Sequence, residues 1–161
     1  MSVPRESFPE AATQQYLEGA VVYLQDGYLQ ECAANPQLIM GVAVGPGKNG
    51  ATAGAKTNEV ELAHPDTLFV GNLDNNGTEG STVGAATDRG KMYGITKKTS
   101  SHWYVDKAKA VVATSRVIVW NIWGDLIPGT TGSATKPAWT DTIPLVVFSF
   151  ANGFYQGSRT S

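Results

Sequence analysis

Glu59 and Glu61 stand two residues apart in Thr57-Asn58-Glu59-Val60-Glu61-Leu62. In a strand this spacing puts both carboxylates on one face, where a pair of acids could divide general acid and general base work. The intervening Val60 and the following Leu62 supply a plainer account, a strand with one wet face and one buried face. Gly45-Pro46-Gly47-Lys48-Asn49-Gly50 has the glycine spacing of a dinucleotide-binding turn. The segment after it, Ala51 to Asn58, has no apolar stripe from which to build the helix that would face a pyrophosphate, and Pro46 removes a backbone donor. Lys48 also precedes the last glycine, the wrong order for a phosphate loop. His64 and His102 lie far apart at no recognised metal spacing, and no Gly-x-Ser-x-Gly elbow offers a serine nucleophile. Asn76-Gly77-Thr78, lacking a secretory context, reads as a turn. The sequence gives catalysis no anchor. It implies a non-enzyme with no cofactor, no metal and no catalytic residues.

Arg89, Lys91, Lys97, Lys98, Lys107 and Lys109 surround Tyr93, Trp103 and Tyr104, the basic and aromatic mixture of a single-strand nucleic-acid binder. The chain as a whole carries a net charge of −2, which opposes attraction to a polyanion. Lysines guarding an exposed strand edge account for the same residues, and no direct contact with nucleic acid is expected.

The elements that must carry these groups are short strands. Ala20 to Leu24 runs into the turn dipeptide Asp26-Gly27, and Tyr28-Leu29 begins a second run at once, which marks a hairpin. A third run, Leu38 to Val44, ends at Gly45-Pro46-Gly47. Further strands are expected at Glu59 to Leu62, Thr67 to Val70, Met92 to Thr96, Trp103 to Val105, Arg116 to Ile122 and Leu145 to Phe150. Two of these, at Val117 to Trp120 and Val146 to Phe148, are continuous apolar runs, as in strands buried on both faces or set in a barrel wall. Gly45 to Asn58, Gly71 to Gly84 and Trp123 to Pro144 read as loops, and Ala11 to Leu17 could hold a turn or two of helix. The expected fold class is all-β: one antiparallel β-barrel or β-tulip-like domain over residues 15–161, preceded by an extended N-terminal arm over residues 1–14. Pro4, Phe8 and Pro9, set in a segment without periodicity, suggest that the arm is ordered by a partner. On that view, deleting Met1 to Pro9 leaves the fold intact but weakens binding to that partner.

With 161 residues the chain can bury a core without staples, and its one cysteine, Cys32, is expected to be a small buried residue. Charged residues make up 16%, against roughly 25% in average soluble proteins, which favours burial of surface against partners. There are ten acids and three bases up to Glu79, and four acids and nine bases beyond it. If each half folds together, opposite potentials suit head-to-tail contacts in a cyclic trimer. No run is long enough to span a bilayer and Ser2 to Gln15 lacks an apolar signal core, so no membrane association and synthesis in the cytoplasm are expected. Between Val117 and Ser158 the charges are Asp125, Lys136 and Asp141 alone, which makes the segment holding Trp123 and Trp139 a candidate contact surface.

Tyr16-Leu17-Glu18-Gly19-Ala20-Val21-Val22-Tyr23, Pro36 to Val44, Asp88-Arg89-Gly90-Lys91-Met92-Tyr93-Gly94-Ile95-Thr96 and Trp103-Tyr104-Val105-Asp106 together resemble the head decoration, or cement, proteins of tailed bacteriophages. The resemblance implies a trimer on the outer surface of an icosahedral virion. It would bridge neighbouring major capsid proteins at threefold and quasi-threefold positions and stabilise the mature head. Val3, Pro4, Arg5, Phe8 and Pro9 would then form the arm that adds to a capsid strand, with Trp123 and Trp139 as further contacts. The rival reading is a β-sandwich binding module in which Trp103, Trp123 and Trp139 stack on a carbohydrate or a host surface.

Overall fold

The computed structural model describes residues 4–76, 84–98, 102–110, 113–123, 144–151 and 155–156. Ten strands make two β units that share one core. They are β1 (Arg5–Pro9), β2 (Val21–Gln25), β3 (Tyr28–Glu31), β4 (Gly41–Ala43), β5 (Thr57–Leu62), β6 (Phe69–Asp74), β7 (Met92–Lys97), β8 (Trp103–Asp106), β9 (Val117–Ile122) and β10 (Leu145–Phe150). The first five form an antiparallel sheet in the order β1-β5-β4-β2-β3, and the last five close into a barrel in the order β10-β6-β8-β7-β9. Every barrel seam is antiparallel except β6–β8, which is parallel and held by two register pairs, Leu73↔Val105 and Asp74↔Asp106.

The hairpin forms where expected. Asp26 and Gly27 both have positive φ (52° and 82°), the backbone twist that a two-residue turn needs to join right-twisted strands. Gly71 to Asp74 continues β6 rather than starting a loop, because Leu73 and Asp74 are buried and pair with β8. Ala11 to Leu17 contains no helix; its backbone instead bonds outward, Ala11 N–H to Leu29 O and Tyr16 O to Gly47 N–H. Cys32, just past β3, is buried as expected, and burial holds its thiol well above the usual range.

The expected free arm needs correction. From Arg5 onward it is extended but already paired, as the edge strand of the chain's own sheet, in register Arg5↔Glu61 to Pro9↔Thr57. Leu62 N–H donates to Pro4 O and Glu10 N–H to Lys56 O, so the even-numbered backbone groups of β1 face β5 and the odd ones face away. Pro9 therefore sits where its missing N–H points outward, which is why a proline is tolerated there. Phe8 packs against both parts of the core. Beyond β1, a parallel bridge between Glu10 and Leu29 draws the chain over β3 and almost closes the sheet into a second barrel. Deletion of β1 would strip β5 of one of its two neighbours and leave it paired with β4 alone. Val3 lies outside the described residues.

One cluster of buried side chains fills the curl of the sheet (Tyr16, Ala20, Val22, Leu29, Ala43, Val60). The larger one fills the barrel and its junction with the sheet, with Phe69, Phe148 and Phe150 in mutual ring contact at 5.2–5.9 Å. Polar clips hold the units together. Glu31 on β3 accepts from Trp103 Nε1 (3.0 Å) and pairs with Lys97 Nζ (2.7 Å). Gln156 accepts from Leu24 N–H (2.8 Å) and donates to Leu24 O (2.7 Å), acting as a one-residue strand beside β2.

Candidate functional site

Glu59, Glu61 and His64 stand in exposed ion pairs. Arg5 Nη2 lies 2.6 Å from Glu61 Oε1 and Arg5 Nη1 lies 3.7 Å from Glu59 Oε2, on an open face. The two carboxylates thus flank a guanidinium on a solvated strand face, the plainer of the two expected accounts. His64 is an exposed side chain whose Nδ1 lies 3.6 Å from Asp66 Oδ2. No cluster of three or more potential metal ligands occurs among the described residues.

The glycine-rich turn does hold an anion, and the anion is the chain's own. Glu10, at 1% exposure, accepts from Lys48 N–H at Oε2 (3.2 Å), and at Oε1 from Tyr16 Oη–H (3.0 Å) and Asn58 Nδ2 (3.1 Å). Asn49 Nδ2 lies 2.8–3.0 Å from the carbonyls of Glu10, Ala11 and Thr52, tying the turn to the end of β1. Burial, followed by the Glu10 charge and hydrogen bond, pushes the Tyr16 phenol far above its ordinary value. Gly47 is required because a Cβ there would come 2.5 Å from the Tyr16 ring.

Four of the six cations in the basic segment are paired within the molecule. Lys97 pairs with Glu31, Lys98 with Asp74 (3.1 Å), Lys107 with Asp88 (2.8 Å) and Lys109 with Asp106 (2.7 Å). The aspartate side chains are at most 5% exposed while their lysine partners reach 26–31%. Burial alone would raise the Asp88 carboxyl, but hydrogen bonds from Lys107, Tyr93 and the Ala85 N–H outweigh it and hold Asp88 below its ordinary value. The expectation of lysines guarding an open edge is therefore corrected: β7 and β8 are interior to a closed wall. Two of the four pairs join the acidic and basic halves of the sequence, so the halves are interleaved rather than set apart.

Two open surfaces stand out among the described residues. The first is the outer edge of β1, where the N–H and C=O groups of Arg5 and Ser7 have no neighbouring strand among the described residues. Arg5 and Ser7 are exposed, and Phe8 and Pro9 half-buried. The second is the outer wall of the barrel, where Val70 (45% exposed), Trp120 (48%), Trp123 (38%) and Met92 (37%) emerge from β6, β9, the end of β9 and β7. Trp120 ends a run expected either buried on both faces or set in a barrel wall, and β9 is a strand of the barrel wall. Val117 and Val119 take the inner positions, and that two-residue alternation is the signal that puts Trp120 outside. Trp103, expected in an aromatic platform, is half-buried against Glu31, and Trp139 lies outside the described residues.

No family model, no curated protein and no solved structure matches this chain. The molecule is defined by its own architecture: an all-β single domain with a closed five-stranded barrel and an additional sheet. No helix among the described residues is long and apolar enough to cross a membrane.

Proposed function

We propose that this protein is a structural virion component that binds the outer surface of an icosahedral phage capsid, bridging neighbouring major capsid proteins at threefold and quasi-threefold positions and stabilising the mature head. The observation that carries the reading is the open edge of β1. In a molecule whose barrel has no edge and whose sheet is nearly closed by Glu10–Leu29, Arg5 and Ser7 keep backbone donors and acceptors turned outward. An extended capsid segment adding there would gain main-chain hydrogen bonds, the usual currency of strand addition. The roles in the expected arm are thus reversed: the capsid strand adds to β1. The sparse charge of the chain and its resemblance to decoration proteins support the same reading.

The mechanism is thermodynamic. A protein that binds the mature lattice and not its precursor stabilises the former by mass action. In a homotrimer three such edges act together, so modest contacts sum to high avidity. The test is cosedimentation with undecorated phage heads, counting copies bound at saturation. A fixed number per lattice site is expected from the wild type. Ser7→Pro deletes an outward N–H without touching the β5 ladder, and should abolish binding while the fold persists. Failure of the wild type to saturate would refute the function; full occupancy by Ser7→Pro would refute the edge.

A further inference from the structure

We propose that the outer barrel wall at Trp120 and Asn121 is a binding site for a pyranose ring of a glycan. Between β9 and β10 the register slips: Val147 lies opposite Asn121 but Phe148 lies opposite Val119, leaving Trp120 as the extra residue of a β-bulge. In an unbroken strand Asn121 would turn into the barrel. The bulge brings Trp120 and Asn121 side by side toward the exterior before Ile122 returns to the core.

Both side chains are held in place. Trp120 Nε1 donates to Ser149 Oγ (2.9 Å), which satisfies the indole N–H within the molecule and leaves the ring as a plane for stacking. Asn121 Oδ1 accepts from Arg89 Nη2 (2.7 Å) and from Ile122 N–H (2.9 Å). Two donors converging on one amide atom identify it as the oxygen, so Nδ2, on the other side of the amide, is the group that can donate to a ligand. Across the strand Met92, paired with Ile118, extends the apolar floor.

A fixed aromatic plane with an oriented amide at its rim matches the two faces of a sugar. The C–H face of a pyranose covers the indole, and a ring hydroxyl at the edge accepts from Asn121 Nδ2. A nucleic-acid strand would also stack on Trp120, but it needs a run of cations to follow its phosphates, and four of the six in this segment, Lys97, Lys98, Lys107 and Lys109, are committed to Glu31, Asp74, Asp88 and Asp106, while Arg89 is bonded to Asn121. Arg89 acts as a positioning residue through Asn121.

The test is titration of the full chain with hexasaccharides of glucose, N-acetylglucosamine and galacturonic acid, followed by tryptophan emission and saturation-transfer NMR. At least one should bind saturably, with a Kd of about 1 mM or tighter. Trp120→Ala should weaken that binding roughly tenfold or more. Asn121→Asp keeps the acceptor for Arg89 and Ile122 but loses the outward donor, and should lower affinity for the same sugar without lowering the melting temperature. Ser7→Pro should bind sugar like the wild type, which separates this site from the β1 edge. Saturable binding by none of the three probes, or unchanged binding by Trp120→Ala, would overturn the proposal. So would loss of capsid binding by Trp120→Ala without any sugar binding, which would assign the wall to a protein contact.

Discussion

Replacing Glu10 by alanine should be among the most damaging single changes in the sheet. The carboxylate takes hydrogen bonds from the Lys48 N–H, the Tyr16 hydroxyl and the Asn58 amide, and its side chain is buried. Asn58 keeps Gly45 O within 2.9 Å, so two donors, Lys48 N–H and Tyr16 Oη–H, lose the acceptor they have. Stranding a buried donor costs about 1–3 kcal/mol, and the truncated side chain leaves a void, for a total of about 3–5 kcal/mol. Glu10→Gln preserves shape but offers one oxygen for two acceptor sites, so it should lose about 1–3 kcal/mol. Urea unfolding monitored by tryptophan emission, with the slope held common, measures both. Hydrogen exchange should show faster exchange at Ala11 and Lys48, where the sheet is drawn closed. If Glu10→Ala costs under about 1 kcal/mol, the carboxylate is not the node that joins β1, the glycine turn and β5, and the reasoning fails.

Glu6→Pro and Ser7→Pro should part company: the first removes a β1–β5 bond and costs about 3 kcal/mol or more, while the second stays within about 1 kcal/mol of wild type in the same urea assay. Gly47→Ala, with a Cβ 2.5 Å from the Tyr16 ring, should destabilise by about 1–3 kcal/mol, and equal stability would show that Tyr16 can move aside. Asp88→Asn should cost about 1–3 kcal/mol at neutral pH. Because the folded carboxyl is held below its unfolded value of about 3.9, its contribution is whole above that pH and fades as pH falls through the folded value, so wild type and variant should converge in acid. A gap that stays constant from neutral pH down to about pH 2 would contradict this.

Most strands were legible because their signals are local. Asp26-Gly27 marks its own hairpin, and the alternation in Glu59-Val60-Glu61-Leu62 is visible without neighbours. What escaped depends on contacts distant in sequence. β1 has no periodicity because half of it is exposed on both faces, and what makes it a strand is β5, with Arg5 meeting Glu61 across 56 positions. The lysines looked like an open patch because their aspartates are buried beneath them. Glu10 drew no notice since a lone acid carries no pattern; its acceptor role exists only when Gly45 to Asn49 folds over it. Trp120 was hidden by its apolar neighbours, and the bulge that exposes Asn121 beside it is a property of the pairing with β10.

The pairing of β1 with β5 also sets a timetable for synthesis. Arg5 leaves the ribosome ahead of Glu61, which follows 56 positions later, roughly 3–11 s at ordinary elongation rates. During that interval Arg5 to Pro9 is nascent chain with no strand to join. Its two prolines and two charged residues in Pro4-Arg5-Glu6-Ser7-Phe8-Pro9 make it a poor template for strands of other nascent chains. The barrel waits longer still, because β6 gains its β10 neighbour only when Leu145–Phe150 has been made. Ribosomes stalled ahead of that strand should therefore carry a folded sheet beside an unfinished ring.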